Sequence, residues 1–353
     1  MSSYNFSKPY LITRSVIPEN QEMPVSFVEA DRIKHELFYR RNHFPYPSLS
    51  SSSSWLPVNG ALQRPTLFSM EDLSRFPSKT LKVALECAGN KRSFFEPKVF
   101  GEQWEKGAIS QGYWTGVPLR DLLQYCGISS QAKEVVIEGY DEGKRPDTDQ
   151  VHPFKRSLPF DKALHPDTLV AFQFNGEPLP YKHGQPLRLI VPQWYAMASV
   201  KWIKQITVTE SSFEGPFQAI DYIYYPNKES NEGAFPVTTL NVNSTIQQPV
   251  NRDTLDTGEH TIKGIAWTGE GTITEVEIST NGGESWAPVL LERRPSAYEW
   301  VSWTWQWPAY EKGEYTIMTR ARDSAGRVQP MEAFWNRKGY GYNAVEQIEV
   351  KVQ

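Results

Sequence analysis

The sequence predicts an α+β protein in two parts: a mixed helix-and-strand domain over residues 1–215, a linker over 216–245, and an all-β sandwich of immunoglobulin-like type over 246–353. Three observations predict it. At 353 residues the chain exceeds what one hydrophobic core usually serves. Around Glu214, Gly215, Pro216 and Phe217 the texture changes from mixed signals to short alternating runs. Those runs are separated by turn residues such as Asn281, Gly282 and Gly283, as in an antiparallel sandwich.

In chain order, the serine run at 50–54 reads as a surface loop. Ser69 followed by Asp72 resembles a capping box with Asp in place of Glu, so a helix should start there. Leu81, Val83, Leu85 and Cys87 share one face of a strand with a period of two. Residues 118–126 read as a helix whose Leu119, Leu122, Leu123 and Cys126 form one apolar stripe before Gly127 stops it, which makes Cys126 a core residue. A strand follows around Arg188, and strand-like sequence runs over 199–206. Beyond the linker, strands are expected at 261–267, 272–278 and 314–320.

Composition excludes several classes of function. With 39% hydrophobic and 22% charged residues the chain is globular rather than disordered. A formal net charge of -4 advertises neither nucleic acid nor an acidic membrane as partner. No apolar run approaches the ~20 residues of a membrane span. Residues 1–8 lack the charged and apolar regions of a signal peptide, so a cytoplasmic location is expected. Two cysteines suit a reducing compartment, and six histidines without metal-site spacing make zinc and iron–sulfur centres unexpected.

Chemistry concentrates in three segments. Cys87 points inward at the end of its strand, and Lys91 and Arg92 would favour its thiolate if they fold back; a plain buried cysteine fits the same pattern. Arg188, between Leu187 and Leu189, must face water from an edge strand or answer an anion, and His183 beside a Gly-rich turn is equally open. Lys201 and Lys204 add cations nearby, and a basic stretch at 39–43 ends in His43.

Together these segments resemble the sulfite oxidase family of molybdenum enzymes. The resemblance rests on Arg-Asn-His at 41–43, Cys-Ala-Gly-Asn at 87–90, Asn-Gly-Glu-Pro-Leu-Pro at 175–180, His-Gly-x-Pro-x-Arg at 183–188 and Val-Lys-Trp at 200–202. It continues through 262–267, 281–286 and Trp335, and so spans nearly the whole chain.

The family implies that Cys87 is the thiolate ligand of molybdenum, which also carries the dithiolene sulfurs of a single pyranopterin. Tyr39, Asn42, His43, Asp141, His183, Arg188, Ser199, Val200 and Lys201 match positions that hold the pterin and its phosphate. Arg41, Arg92 and Trp104 match the lining of an oxyanion pocket, and Lys338 matches a position where sulfite oxidases carry Arg. A one-residue slip would put Arg337 there instead. Phe154 stands where the sulfite-oxidising members carry a tyrosine, so a phenol is missing.

The implied activity is oxidation of sulfite, or a related sulfur oxyanion, to sulfate. Electrons would pass to an external carrier, because there is no Cys-x-x-Cys-His and no haem segment is expected. Rival readings are a nitrate or sulfoxide reductase on the same fold, a thiol enzyme using Cys87 with Cys126, and a non-enzymatic β-sandwich interaction protein. The family also implies a homodimer through the second domain. The sequence offers a physical reason: seven of the 12 tryptophans lie beyond residue 260, and Trp303, Trp305 and Trp307 share one strand face, so aromatic surface should be left outside.

Overall fold

A computed structural model describes residues 10–27, 31–145, 147–292 and 296–353. The N-terminal residues that lack signal-peptide character lie outside the described residues. The first part is built on two five-stranded sheets. One runs in the order Glu177–Pro178, Leu169–Phe174, Ile109–Pro118, Lys79–Glu86, with Arg188–Ile190 also paired to Leu169–Phe174. The other runs Thr66–Ser69, Trp55–Gly60, Ile203–Thr209, Glu134–Arg145, Thr148–Pro159. Helices are short, and the chain as a whole is α+β.

Local expectations hold in detail. Ser69 Oγ accepts from the Asp72 backbone N–H while Ser69 N–H donates to Asp72 Oδ2, both at 3.0 Å, and a helix spans Met70–Ser74. The Leu119–Cys126 helix buries Leu119, Leu122, Leu123 and Cys126 completely. Both cysteines are free thiols.

The Lys79–Glu86 strand departs from one-sided burial. Its inward face carries Val83 and Leu85, but Ala84 and Glu86 are buried on the opposite face as well. The second domain meets the strand on that face and on its free edge: Trp267 Nε1 donates to Glu86 Oε2 (2.9 Å), and Ala84 N–H donates to Tyr298 O (2.8 Å).

The segment expected as a linker is packed. A helical turn at Phe217–Asp221 leads into a two-stranded ribbon, Ile223–Tyr224 with Phe235–Pro236, and Phe217, Tyr222, Val237 and Leu240 join the first core. Its aromatic and aliphatic side chains are buried there despite the glycine and proline punctuation.

Beyond it, two sheets face each other. One is Asn243–Gln248, Gly258–Trp267, Val301–Ala309, Leu290–Leu291; the other is Thr254–Leu255, Glu346–Val352, Gly313–Asp323, Ile273–Ser279, Ala287–Pro288. The core between them holds Trp303 and Trp307, with Trp305 packed at its margin. Gly264 makes room: a Cβ there would lie 2.2 Å from Thr245 O and 2.3 Å from the Trp303 ring. Trp267 and Trp300 instead fill the first core. The tryptophans therefore do not form the expected exposed surface among the described residues, although Phe235, Tyr310 and Phe334 are exposed. Four of the seven tryptophans beyond 260 are buried, and Trp286, Trp305 and Trp335 are half-buried. Those four rings are consumed inside the chain.

A buried ionic cluster closes the seam between the two parts. Lys91 Nζ meets Asn243 Oδ1 and Ser244 O at 2.9 Å and Glu346 at 3.1 Å, and Lys106 Nζ reaches Glu346 at 3.1 Å. Burial alone would push the Glu346 carboxyl up, but Lys106 and Lys91 outweigh it and hold it at about 2. Lys91 itself is pulled down by burial despite Glu346. The carboxylate carries the pH argument, since both lysines and Thr245 converge on it.

Glu346→Gln leaves Lys91 buried without its anion and should destabilise the protein by about 3 kcal/mol at neutral pH. Because the folded-state pKa is depressed, the wild-type advantage is complete above 4.5 and should fade as pH falls towards about 2. Urea denaturation of both proteins across that range checks it; a constant difference would contradict it.

Candidate active site

The Cys87 thiol sits where the Lys79–Glu86 strand ends, and the turn that follows folds tightly. A Cβ at Gly89 would lie 2.6 Å from the Arg92 guanidinium, so only glycine lets Arg92 lie back over the turn. Cys87 opens into a cavity whose wall also carries Tyr39, Arg41, His43, Asp141, His183, Arg188, Ser199, Val200 and Lys201. Asn42 is the one residue of the expected cofactor set outside this wall. It anchors the wall from behind: its backbone N–H donates to Asn20 Oδ1 (2.7 Å), its Nδ2 to Glu19 O (2.7 Å), and its Oδ1 accepts from Lys201 Nζ.

The 38–44 segment lies in the cavity through long-range contacts. Lys201 Nζ donates to Arg41 O (3.1 Å), and Arg41 Nη2 lies 3.3 Å from His43 Nδ1. His43 is held between Phe217 and Phe154, which stacks on it at 5.3 Å and 18°, while His43 Nε2 meets Tyr222 Oη at 2.7 Å. His183 Nε2 donates to His35 O (2.8 Å). Burial, followed by surrounding cations, pushes both imidazoles well below the usual histidine range, so both are neutral.

The electrostatics are lopsided. Five cations line the cavity, Arg40, Arg41, Lys182, Arg188 and Lys201, against one carboxylate, Asp141. Arg40 and Lys182 are paired with Glu19. Arg188 is buried, with its Nη1 donating to His183 O (3.2 Å), its plane over Trp114 and its Nε without a partner. Desolvation pulls its guanidinium down to about 10. Lys201 is driven well below its ordinary value by burial, against the pull of Asp141. Burial pushes Asp141 up, and its Oδ1 has no partner. A buried guanidinium with an unpartnered Nε and a buried ammonium bonded only to neutral oxygens, beside an unpartnered carboxylate oxygen, form a set of donors and one acceptor, which suits a dianionic phosphate joined to a heterocycle with N–H groups.

Three expected residues lie off the cavity wall. Arg92 Nε donates to Lys338 O (3.1 Å) and Gly339 O (3.2 Å), and its Nη1 to Glu102 O (3.0 Å). Trp104 is fully buried, with Nε1 unpartnered. Lys338 Nζ lies 3.7 Å from Asp221 Oδ1, while Arg337 turns outward over the Tyr225 ring. Lys91 and Arg92 do not make the thiol acidic: Lys91 points into the domain seam, and burial pushes Cys87 up although Arg41 and Arg92 draw it down.

Arg40, Lys182 and Tyr222 on the wall, and Arg156 behind it, went unpredicted. Arg156 is buried with its guanidinium over Tyr222 and donates to Phe217 O; its shared parity with Phe154 along the strand could have revealed it. Tyr222 reaches the wall from the supposed linker and carried no local signal.

The comparisons agree with this geometry. Residues 43–217 match the oxidoreductase molybdopterin binding domain and 234–353 the Mo-co oxidoreductase dimerisation domain. Sulfite oxidase of Gallus gallus is 33% identical, covering 94% of this chain and 76% of that one. The chain belongs to the sulfite oxidase family. Mitochondrial sulfite oxidase of Homo sapiens is likewise 33% identical over 98% of this chain, which spans 66% of the human protein's length. The sulfane dehydrogenase SoxCD of Paracoccus pantotrophus shares the fold, with a TM-score of 0.82, 24% identity and coverage of 98% of this chain and 91% of that one. As a family member the chain is a molybdenum-dependent oxidoreductase. Among the described residues no helix is long and apolar enough to cross a membrane.

Arg188→Met should stabilise the cofactor-free protein by on the order of 1 kcal/mol or more, because it removes a buried charge that no protein anion answers. Urea denaturation of cofactor-free wild type and variant measures it, and a loss of stability would show that the protein itself satisfies the guanidinium.

Proposed function

We propose that the protein oxidises sulfite, or a related sulfur oxyanion, to sulfate and passes the electrons to an external acceptor. The observation that carries this reading is the cavity itself: one thiol, Cys87, in a wall where Arg41, Arg188 and Lys201 face no carboxylate partner at bonding distance among the described residues. When bound, the molybdenum centre supplies two-electron oxygen-atom transfer.

The residues divide the remaining work. Cys87 gives a soft thiolate to the metal. Arg188 and Lys201, with His183, hold the pterin phosphate by charge-assisted bonds. Asp141 Oδ1 accepts from the heterocycle's N–H groups. Tyr39, Asn42, His43, Ser199 and Val200 complete the cradle, with Ser199 Oγ already engaged in accepting from Val191 N–H (3.0 Å). Arg41 supplies the charge that draws an oxyanion beside Cys87. Arg92, Trp104 and Lys338 belong to the same set but act from behind the wall: Arg92 ties the turn after Cys87 to the Lys338 and Gly339 carbonyls, so the two domains close on the pocket together.

The same reading has residues 1–215 as the catalytic domain, 246–353 as the sandwich that pairs two copies into a homodimer, and no haem on this chain. A cytoplasmic location rests on the two free, buried cysteines. Phe154 favours one second reading, nitrate or sulfoxide reduction at the same centre, because the ring beside His43 carries no hydroxyl.

Purified enzyme with molybdenum bound should reduce an artificial dye in a sulfite-dependent way, and Cys87→Ser should keep the fold while losing turnover by more than about a hundredfold. Wild-type activity in Cys87→Ser would overturn the assignment of the thiol; nitrate-dependent dye oxidation without sulfite oxidation would favour the second reading. Light scattering should give twice the mass of one chain, and a monomer at micromolar concentration would sink the dimer.

A further inference from the structure

One buried guanidinium stands behind the cavity wall without a counter-charge of its own. Arg156 leaves the Thr148–Pro159 strand on the same side as Phe154 and is 2% exposed. Its neighbour Lys155 turns the other way and meets Glu138 at 2.7 Å. Arg156 meets no carboxylate at bonding distance among the described residues: its Nη1 donates to Phe217 O, and its Nε is buried without a partner. Asp221, the carboxylate whose charge reaches it, is already engaged by both terminal nitrogens of Arg145, and Lys338 Nζ lies 3.7 Å from it. Asp147 answers only Arg145. Arg145, Arg156 and Lys338 against Asp221 and Asp147 leave one positive charge over.

That surplus lies one ring away from the cavity. The Arg156 guanidinium is 5.4 Å from the centroid of Tyr222, and the Tyr222 and Phe154 rings both line the wall with Cys87. Between them the packing is aromatic: Phe154, Phe217 and His43 have ring centroids 4.8 to 5.3 Å apart. Little water can enter such packing to screen a charge. The field reaches the wall, since His43 is depressed by burial and then by Arg41, Arg145, Lys201 and Arg156. Desolvation pulls Arg156 itself down to about 10, which leaves it charged at neutral pH. A bond to Phe217 O needs only a neutral donor, whereas a buried full charge costs stability, so folding alone does not call for an arginine here.

We propose that Arg156 is a specificity-determining residue: its charge acts across the aromatic wall on the anion bound beside Cys87 and selects a dianion such as sulfite over a monoanion such as nitrate. Coulomb energy is proportional to the charge of the ligand, so one fixed cation favours the dianion by the square of the factor it gives the monoanion. This inference deepens the sulfite reading and rests on it for the place at which the anion binds.

Titration calorimetry on oxidised, molybdenum-loaded enzyme at fixed ionic strength, with sulfate and nitrate as probes, tests it. Arg156→Met should keep molybdenum while the sulfate Kd rises about tenfold and the nitrate Kd about threefold. Arg156→citrulline, a neutral side chain of the same shape that keeps an N–H for Phe217 O, should give the same two factors, and it decides the matter where Arg156→Met loses molybdenum. Equal factors for the two anions, or an unchanged sulfate Kd, would overturn the proposal, because a distorted wall does not count the charge of its ligand. Failure of the wild type to bind one sulfate per molybdenum would overturn it too. Sulfite turnover in the wild type separates the two readings. Turnover with equal factors sinks this inference alone, whereas charge-weighted factors without any sulfite turnover sink the functional reading and leave Arg156 as the selector of dianions.

Discussion

Buried positive charge in excess of the protein's own counter-charge is the constraint on which the rest of the site depends. Two like charges ~4 Å apart interact by about 4 kcal/mol at an effective dielectric near 20, and desolvation adds to that. A domain has only about 5–15 kcal/mol of net stability to set against such terms. Arg188 and Lys201 show the strain in their depressed basicity, and Asp141 shows the converse in its raised carboxyl. A chain that only had to fold would place an acid beside Arg188. This one places His183 O and the Trp114 ring there, and leaves Nε for a ligand.

Holding such groups apart from water demands a rigid frame, and the frame comes from both domains. The cysteine's strand is held along its free edge by Tyr298 and on its outer face by Trp267 of the second domain. Glu86, accepting from Trp267 and Asn90 and pushed up to about 7 by burial, braces the residue before the thiol. Arg92 ties the next turn to the Lys338 and Gly339 carbonyls, and Tyr340 in that same loop stacks on Tyr222 at the cavity. The sandwich thus reaches the wall through a loop without contributing a polar atom to the wall itself.

What could be read from the chain follows the range of the interaction. The capping box at Ser69, the stripe of the Leu119–Cys126 helix and the inward parity of Cys87 are local patterns, and they appear where periodicity puts them. Arg188 was legible as an anomaly, because an arginine in an apolar strand needs a partner. The failures are all long-range. Lys91 turned away from the thiol because Glu346 and Asn243, far along the chain, offered a better site. The tryptophans of Val301–Ala309 looked surplus because counting rings cannot reveal that Gly264 vacates space for one of them or that Trp267 and Trp300 belong to the other core. That Phe217 and Tyr222 of the 216–245 segment pack into the first core could not be read from its glycine and proline punctuation, because the wall they meet is distant in sequence.

His43 shows how differently two rings of one wall can hold the same imidazole. Phe154 meets the imidazole on its face, where packing depends on ring shape and a hydroxyl contributes nothing to orientation. Tyr222, 179 residues away in sequence, meets it at the edge, where the N–H requires an oxygen. Replacing a tyrosine by phenylalanine on the face leaves the imidazole plane intact, whereas the same change at the edge would strand a buried donor. The structure therefore tolerates loss of the hydroxyl at 154 more readily than at 222. The imidazole depends on the hydroxyl at 222 and not on one at 154.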